Sequence, residues 1–271
     1  MNSLIKDIFR KLLKKHFPIF IKNHLIGLYE KWNSKIMWDK KLIRDLMEYY
    51  NLSYDETKCM LKLGRRLFCD FWYELNSKNE EEILSFYKMP FPYNVFSLAY
   101  WHMSRGQIKF RKEIVKHSFG DVLDYGGGIG DLSVKMAKKD LNITYAEVSG
   151  KNMEFARNLF RKRGYEIKVI DVEKEQEKIW ERTYDTIICI DVIEHIPHPE
   201  GALEEMARHL KNNGRLIITA LECSGPKDDA PMHLKIDFDA PKLLNSFGIF
   251  KSEMYDWLWI KQNLISDQVS K

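Results

Sequence analysis

Residues 122–130 read Val-Leu-Asp-Tyr-Gly-Gly-Gly-Ile-Gly, an aspartate at 124 followed by glycines at 126, 128 and 130 with a fourth at 127. Two apolar residues running into an acid and then into glycines describe a buried strand that turns sharply into a helix. Glycines there accept positive φ and let a ligand lie against the backbone with no Cβ in the way. Three more acids close later apolar runs. Glu147 ends Ile143-Thr144-Tyr145-Ala146, Asp171 ends Ile167-Lys168-Val169-Ile170, and Asp191 follows Thr186-Ile187-Ile188-Cys189-Ile190. Glu147, 23 residues after Asp124, is placed to accept hydrogen bonds from both hydroxyls of a ribose. Asp171 is placed to accept from an exocyclic amine such as that of adenine. Any one of these acids reads equally well as a loop residue or a helix N-cap. In series with a glycine turn they describe one nucleoside pocket.

Positioning four such acids takes a set of strands ending on one side. From residue 121 onward the apolar pattern alternates between strand and helix: strands 121–125, 142–148, 165–170, 184–190 and 214–220, helices 130–139, 151–163, 173–180 and 199–211. A helix at 239–246 and a closing strand pair at 249–256 and 257–262 follow. Alternation of this kind predicts a parallel sheet with helices on both faces, and ligands bind beyond the carboxyl ends of its strands.

Upstream, the pattern is helical throughout. Segments at 3–16, 19–35, 39–50, 54–75 and 79–88 carry apolar stripes, Ser53 and Glu56 match a capping box, and Pro90 and Pro92 close the unit. A further helix at 94–117, with a break at Gly106, leads into the first strand. Residues 3–16 are basic and amphipathic, suited to an anionic membrane surface, a partner or the chain's own cap. The 118 residues before the sheet hold 22 Lys/Arg against 13 Asp/Glu, the remainder 21 against 26, so two compositional units meet near the glycine turn. The basic residues are interleaved with acids and form no recognition face, which speaks against nucleic acid. No apolar run approaches the roughly 20 residues that span a bilayer, and the lysine-broken N-terminus lacks a secretory h-region. Cys59, Cys69, Cys189 and Cys223 form no C-x-x-C pair, the usage of a reduced cytoplasmic chain without structural zinc.

Residues 121–220 resemble the core of class I S-adenosylmethionine-dependent methyltransferases, of the small-molecule type with a D-V-x-E-H stretch. The D-x-G-x-G-x-G signature falls on Asp124, Gly126, Gly128 and Gly130, and the D-V-x-E-H stretch on Asp191 to His195. The resemblance implies a doubly wound, mostly parallel seven-stranded sheet under an N-terminal α-helical cap, with the cap at 1–95 and the cofactor domain at 96–271. It implies S-adenosylmethionine held by Asp124, the three glycines, Glu147 with Val148, Asp171 with Val172, and Asp191. Tyr100 or Arg105, at the join of cap and core, would hold the cofactor's carboxylate. Gly127 departs from the more usual cysteine, serine or alanine, and the first 95 residues match no nameable family. A nicotinamide-binding G-x-G-x-x-G is disfavoured because Asp131 stands at its third glycine, and no P-loop or D-P-P-Y motif is present.

A sulfonium methyl is already activated, so the protein must align a nucleophile and exclude water. A base is needed only where the acceptor must lose a proton. His233, after the stretch 222–231 that could act as a lid, ranks first, followed by His195, with His198 a third candidate; each also has a plain structural reading. The expected activity is methyl transfer to an oxygen, nitrogen or carbon of a small metabolite, with no metal. Two alternatives stand beside it: intramolecular displacement within the cofactor to release methylthioadenosine, and a non-catalytic partner- or membrane-binding module. The acceptor and the oligomeric state are left open.

Overall fold

The computed structural model describes residues 36–75, 79–228 and 230–262. The basic segment 3–16 and the helix expected at 19–35 lie outside the described residues. Among the described residues no helix is long and apolar enough to cross a membrane, and the four cysteines carry no disulfide.

Seven strands form one sheet in the order β3-β2-β1-β4-β5-β7-β6, with β1 Asp121–Tyr125, β2 Asn142–Glu147, β3 Lys168–Asp171, β4 Tyr184–Cys189, β5 Leu210–Ile218, β6 Ile249–Lys251 and β7 Leu258–Lys261. The first five run parallel, and only β7 runs against its neighbours. The order reverses between β1 and β4, which opens a crevice beyond their carboxyl ends. The central strands are apolar on both faces because helices cover both: Val122, Leu123, Ile187, Ile188, Leu216 and Ile217 are all buried. This is the expected α/β architecture. The helix expected at 173–180 is reduced to one 3-10 turn at Gln176–Lys178. That stretch offers only its last two residues, Ile179 and the half-buried Trp180, to the core, too little apolar surface to hold a longer helix. β5 begins earlier than expected, pairing Leu210 with Tyr184 before an irregularity and then Arg215 with Thr186.

The cap consists of α1 Lys40–Tyr50, α2 Tyr54–Leu75, α3 Glu80–Tyr87 and α4 Tyr93–His102. The capping box is formed: Ser53 N donates to Glu56 Oε2 at 2.9 Å and Glu56 N to Ser53 Oγ at 3.2 Å. The single helix expected over 94–117 is two, α4 and α5 Arg105–His117, because Ser104 turns out of the helix and its hydroxyl caps Gln107 N. The sheet-domain helices are α6 Asp131–Ala137, α7 Lys151–Arg163, α8 Pro199–His209 and α9 Ala240–Ser246. One apolar cluster joins Leu46, Tyr50, Met60 and Phe96 of the cap to Tyr145, Phe155 and Phe160 of the sheet domain. Asp45, buried on α1, receives Lys162 at 2.7 Å and also Arg163, both from α7. The cap and the sheet domain therefore share a core and an ion-pair seam.

α2 and α4 approach so closely at Gly64 that a Cβ there would lie 2.8 Å from the Ser97 backbone nitrogen and 2.9 Å from Phe96 Cβ. Neither atom can yield without moving α4. Gly64→Val should cost about 1–3 kcal/mol by overpacking, read as a lowered midpoint in urea unfolding; an unchanged midpoint would contradict this packing.

Candidate functional site

A cavity of about 730 Å³ lies over the tips of β1, β2 and β4, roofed by α2, α3 and α4. The glycine turn forms its floor. A Cβ on Gly126, where φ is +69°, would lie 2.4 Å from Val192 Cγ2, so only glycine fits there. Gly126 N donates to Ala146 O at 2.8 Å, and Tyr145 Oη donates to Gly128 O at 2.6 Å. The turn is thus bound to β2 by both its backbone and a buried tyrosine.

The acids at the strand tips divide by what they touch. Glu147 accepts from Gly128 N through Oε2 at 2.8 Å and from Val148 N through Oε1 at 2.9 Å, at the cavity wall. Burial pushes its carboxyl up to about 7, against the pull of those two N–H groups. Asp124 accepts the Ser133 hydroxyl at 2.5 Å, and burial pushes it up to about 6. Asp191 lines the cavity with its carboxylate bonded to Thr219 Oγ1 at 2.9 Å. Val148 and Val172 are wall residues too. Asp171 instead stands behind Val172, its Oδ1 accepting Glu173 N at 3.1 Å, and it is not part of the wall.

Next to the glycine turn lies a buried charge cluster that spacing alone does not reveal. Asp131 is met by Arg111 Nη2 at 2.6 Å, His102 Nδ1 at 2.9 Å and Lys135 Nζ at 3.0 Å. Burial opposes its ionisation, but the Arg111 and Lys135 cations and the His102 imidazole beside it hold its carboxyl well below the usual range. Arg111 is only 5% exposed, lines the cavity and leaves its Nε without a partner. Tyr100 and Arg105 do not reach the cavity. Tyr100 packs against the Trp38 ring at 6.1 Å, and Arg105 is exposed at the start of α5. The neighbouring Trp101 and His102 face the cavity in their place.

The far end of the cavity is apolar on the cap side, with Phe68, Ile83 and Tyr87, and polar on the sheet side. Glu194, His195 and His233 bring polar atoms within 4.8 Å of one another, a carboxyl and two imidazoles able to share a proton or a cation. Glu194 is 2% exposed and its Oε2 has no partner. Burial, with Asp191 nearby, pushes its carboxyl up to about 8. His195 is pushed down to about 3 by burial, with His233 and Arg65 adding to the effect, and is neutral. His233 stacks edge-on to His195, ring centroids 4.9 Å apart at 71°. His198 sits exposed at the rim, 3.7 Å from Glu80. In the stretch expected as a lid, Glu222, Ser224, Pro226, Lys227 and Asp228 are exposed, while Ala230 is buried and Ile236 N donates to Cys223 O at 2.9 Å. Glu194 was readable in the D-V-x-E-H stretch itself. Arg111 and Tyr87 carried no motif, since only the fold brings their helices to the strand tips.

Residues 123–216 match the protein family described as "Methyltransferase domain". The ubiquinone biosynthesis O-methyltransferase of Rickettsia prowazekii is 28% identical over 123 residues, 42% of this chain and 47% of that protein. The protein of the same name from Shewanella pealeana is 26% identical over 159 residues, 54% of this chain and 64% of that one. The chain thus spans about half the length of the relatives it matches. Among solved structures, an O-methyltransferase family protein from Burkholderia thailandensis superposes with a TM-score of 0.52 at 11% identity, covering 75% of this chain and 71% of that one. That likeness concerns the fold.

The raised carboxyls have a thermodynamic signature. The Glu147 carboxyl ionises near 4.5 in an unfolded chain and near 7 when folded, so between those values the folded state holds the extra proton. Stability then falls as pH rises through that window. In urea unfolding without ligand, Glu147→Gln should remove a loss of roughly 2–3 kcal/mol between pH 5 and 8; parallel curves for the two proteins would contradict the assignment.

Proposed function

With the match of residues 123–216 to a methyltransferase domain as the premise, we propose that this chain is a class I enzyme that transfers a methyl group from S-adenosylmethionine to a hydroxyl oxygen of a small, largely apolar molecule. One observation carries this reading. A single cavity has a glycine cradle and strand-tip acids at one end and the Glu194–His233 pair at the other.

The residues present fit the cofactor. The floor is glycine where a Cβ would collide, and Arg111 offers a buried guanidinium whose Nε lacks a protein partner. Glu147 takes the ribose hydroxyls. Val148 and Val172 flank the adenine, with Asp171 fixing the turn that carries Val172. Arg111 faces the amino-acid carboxylate, the role first expected of Tyr100 or Arg105. Asp124 orders the turn from below through Ser133, and Asp191 borders the amino-acid end.

When bound, S-adenosylmethionine supplies a methyl group already activated by its sulfonium. The chain's own work is to orient the acceptor and take its proton. His233, with the uncharged Glu194 carboxyl beside it, receives the proton from the acceptor O–H as the oxygen lone pair forms the new C–O bond and the departing sulfur keeps the old bond's electrons. Phe68, Ile83, Tyr87 and Met232 exclude water from that end. The name shared by the relatives supports oxygen over nitrogen or carbon as the acceptor atom. The room beyond the cofactor's end supports a second molecule over displacement within the cofactor itself.

Calorimetry with S-adenosylmethionine tests the cofactor half. Glu147→Ala should weaken binding by about 1.5–3 kcal/mol, roughly 10- to 150-fold, through loss of charge-assisted hydrogen bonds; unchanged affinity would contradict the placement. Mass spectrometry of the nucleoside product with a panel of phenols tests the chemistry. S-adenosylhomocysteine is expected, methylthioadenosine would refute methyl transfer, and His233→Ala should lower kcat by about 10²–10⁴ with cofactor affinity kept.

A further inference from the structure

Resting on the reading of His233 as the acceptor-side base, we infer that Tyr87 and His195 are positioning residues: the cap tyrosine fixes the His195 ring, and that ring pins the loop segment that carries His233. The contacts converge on three consecutive loop residues. His195 hydrogen-bonds the backbone of Met232, and the Glu194 backbone carbonyl accepts from Leu234 N at 2.7 Å. His233 is therefore bracketed on both sides by two adjacent residues of the β4 turn.

The cap holds the other side of the imidazole. Tyr87 Oη lies 2.7 Å from His195 Nδ1, with the rings 5.7 Å apart at 67°. Tyr87 is itself wedged against Phe68 and Phe86, at 6.1 and 5.2 Å. The next residue anchors the same helix end to the β3 turn, Lys88 Nζ meeting Glu173 Oε1 at 2.8 Å. Tyr87 is thus a fixed point.

A neutral imidazole has one N–H and one lone pair. The backbone group that accepts at Met232 is a carbonyl, so the imidazole N–H is directed there, and Nδ1 is left to accept the tyrosine O–H. Burial, with Glu194 and Glu147 near, keeps the Tyr87 phenol protonated and able to donate. His195 then has no nitrogen left for the acceptor's proton. It belongs to the scaffold, which revises its standing as a catalytic candidate. The chemistry is left to His233, and a sub-ångström shift of the loop would misalign it.

The test uses the full chain labelled with ¹⁵N-histidine. Long-range ¹H–¹⁵N spectra should show His195 as the Nε2–H tautomer from pH 5 to 9, and Tyr87→Phe should shift that Nδ1 resonance and speed amide exchange at Leu234. An Nδ1–H tautomer, or a Tyr87→Phe spectrum and exchange rate equal to wild type, would overturn the inference. These readouts do not depend on turnover. With a phenol from the panel above, Tyr87→Phe should lower kcat about 10- to 100-fold with KM for S-adenosylmethionine unchanged. His195→Gln, whose amide N–H can still reach the Met232 carbonyl, should retain more activity than His195→Ala; equal loss in both would make His195 the base. Absence of S-adenosylhomocysteine from every acceptor, with the tautomer as stated, would refute the proposed function and leave the pinning intact.

Discussion

Glu147 ties the tip of β2 to the glycine turn, and the site rests on that tie. Its two oxygens take the amides of Gly128 and Val148, while Tyr145 Oη from the same strand takes the carbonyl of Gly128. A backbone turn with four glycines would otherwise carry a large conformational entropy to be lost on ligand binding. Here it is ordered by its neighbours in advance. Burial of the strand tips has an electrostatic consequence. The carboxyls of Glu147, Asp124 and Glu194 are raised by burial toward or beyond neutrality, whereas Asp131 is kept ionised by Arg111, His102 and Lys135. Charge in the cavity wall therefore concentrates beside the glycine turn at Asp131 and Arg111, and the Glu194–His195 end is close to neutral.

The cap does more than cover the crevice. Asp45 grips α7 through Lys162 and Arg163, Lys88 grips the β3 turn through Glu173, and Tyr87 meets the β4 turn at His195. The apolar cluster running from Met60 to Phe160 makes cap and sheet domain fold as neighbours in one core. The proposed acceptor site, built from α3, the β4 turn and the 230–234 loop, is only as ordered as those seams. That accounts for polar bridges from the cap to successive strand tips where an apolar lid would have sufficed for exclusion of water.

The fold was legible because parallel strands buried on both faces must be apolar runs, and the runs ending in Asp124, Glu147 and Asp171 are unmistakable. α2 and α7 span the expected stretches 54–75 and 151–163 to the residue. The helix expected at 173–180 is reduced to one turn, since its charged stretch mimics helical composition while offering the core almost nothing. At the site, Glu147, Asp191 and the glycines follow from position relative to the strands. Tyr100 stands one residue before the inward-facing Trp101 and His102 on α4, and Arg105 follows the break at Met103-Ser104, where α5 starts with a new phase. Arg111 and Tyr87 act through tertiary placement alone, which no local pattern encodes.

In the proposed reading one adenosine lies across the tips of β1, β2 and β3 with its sulfur directed at the Glu194–His233 end. An experimental structure with S-adenosylhomocysteine measures this most directly. Both ribose hydroxyls should lie within hydrogen-bond distance of Glu147 and the amino-acid carboxylate against Arg111. A nucleoside bound elsewhere, or a ribose facing away from Glu147 with the sulfur remote from His233, would contradict it.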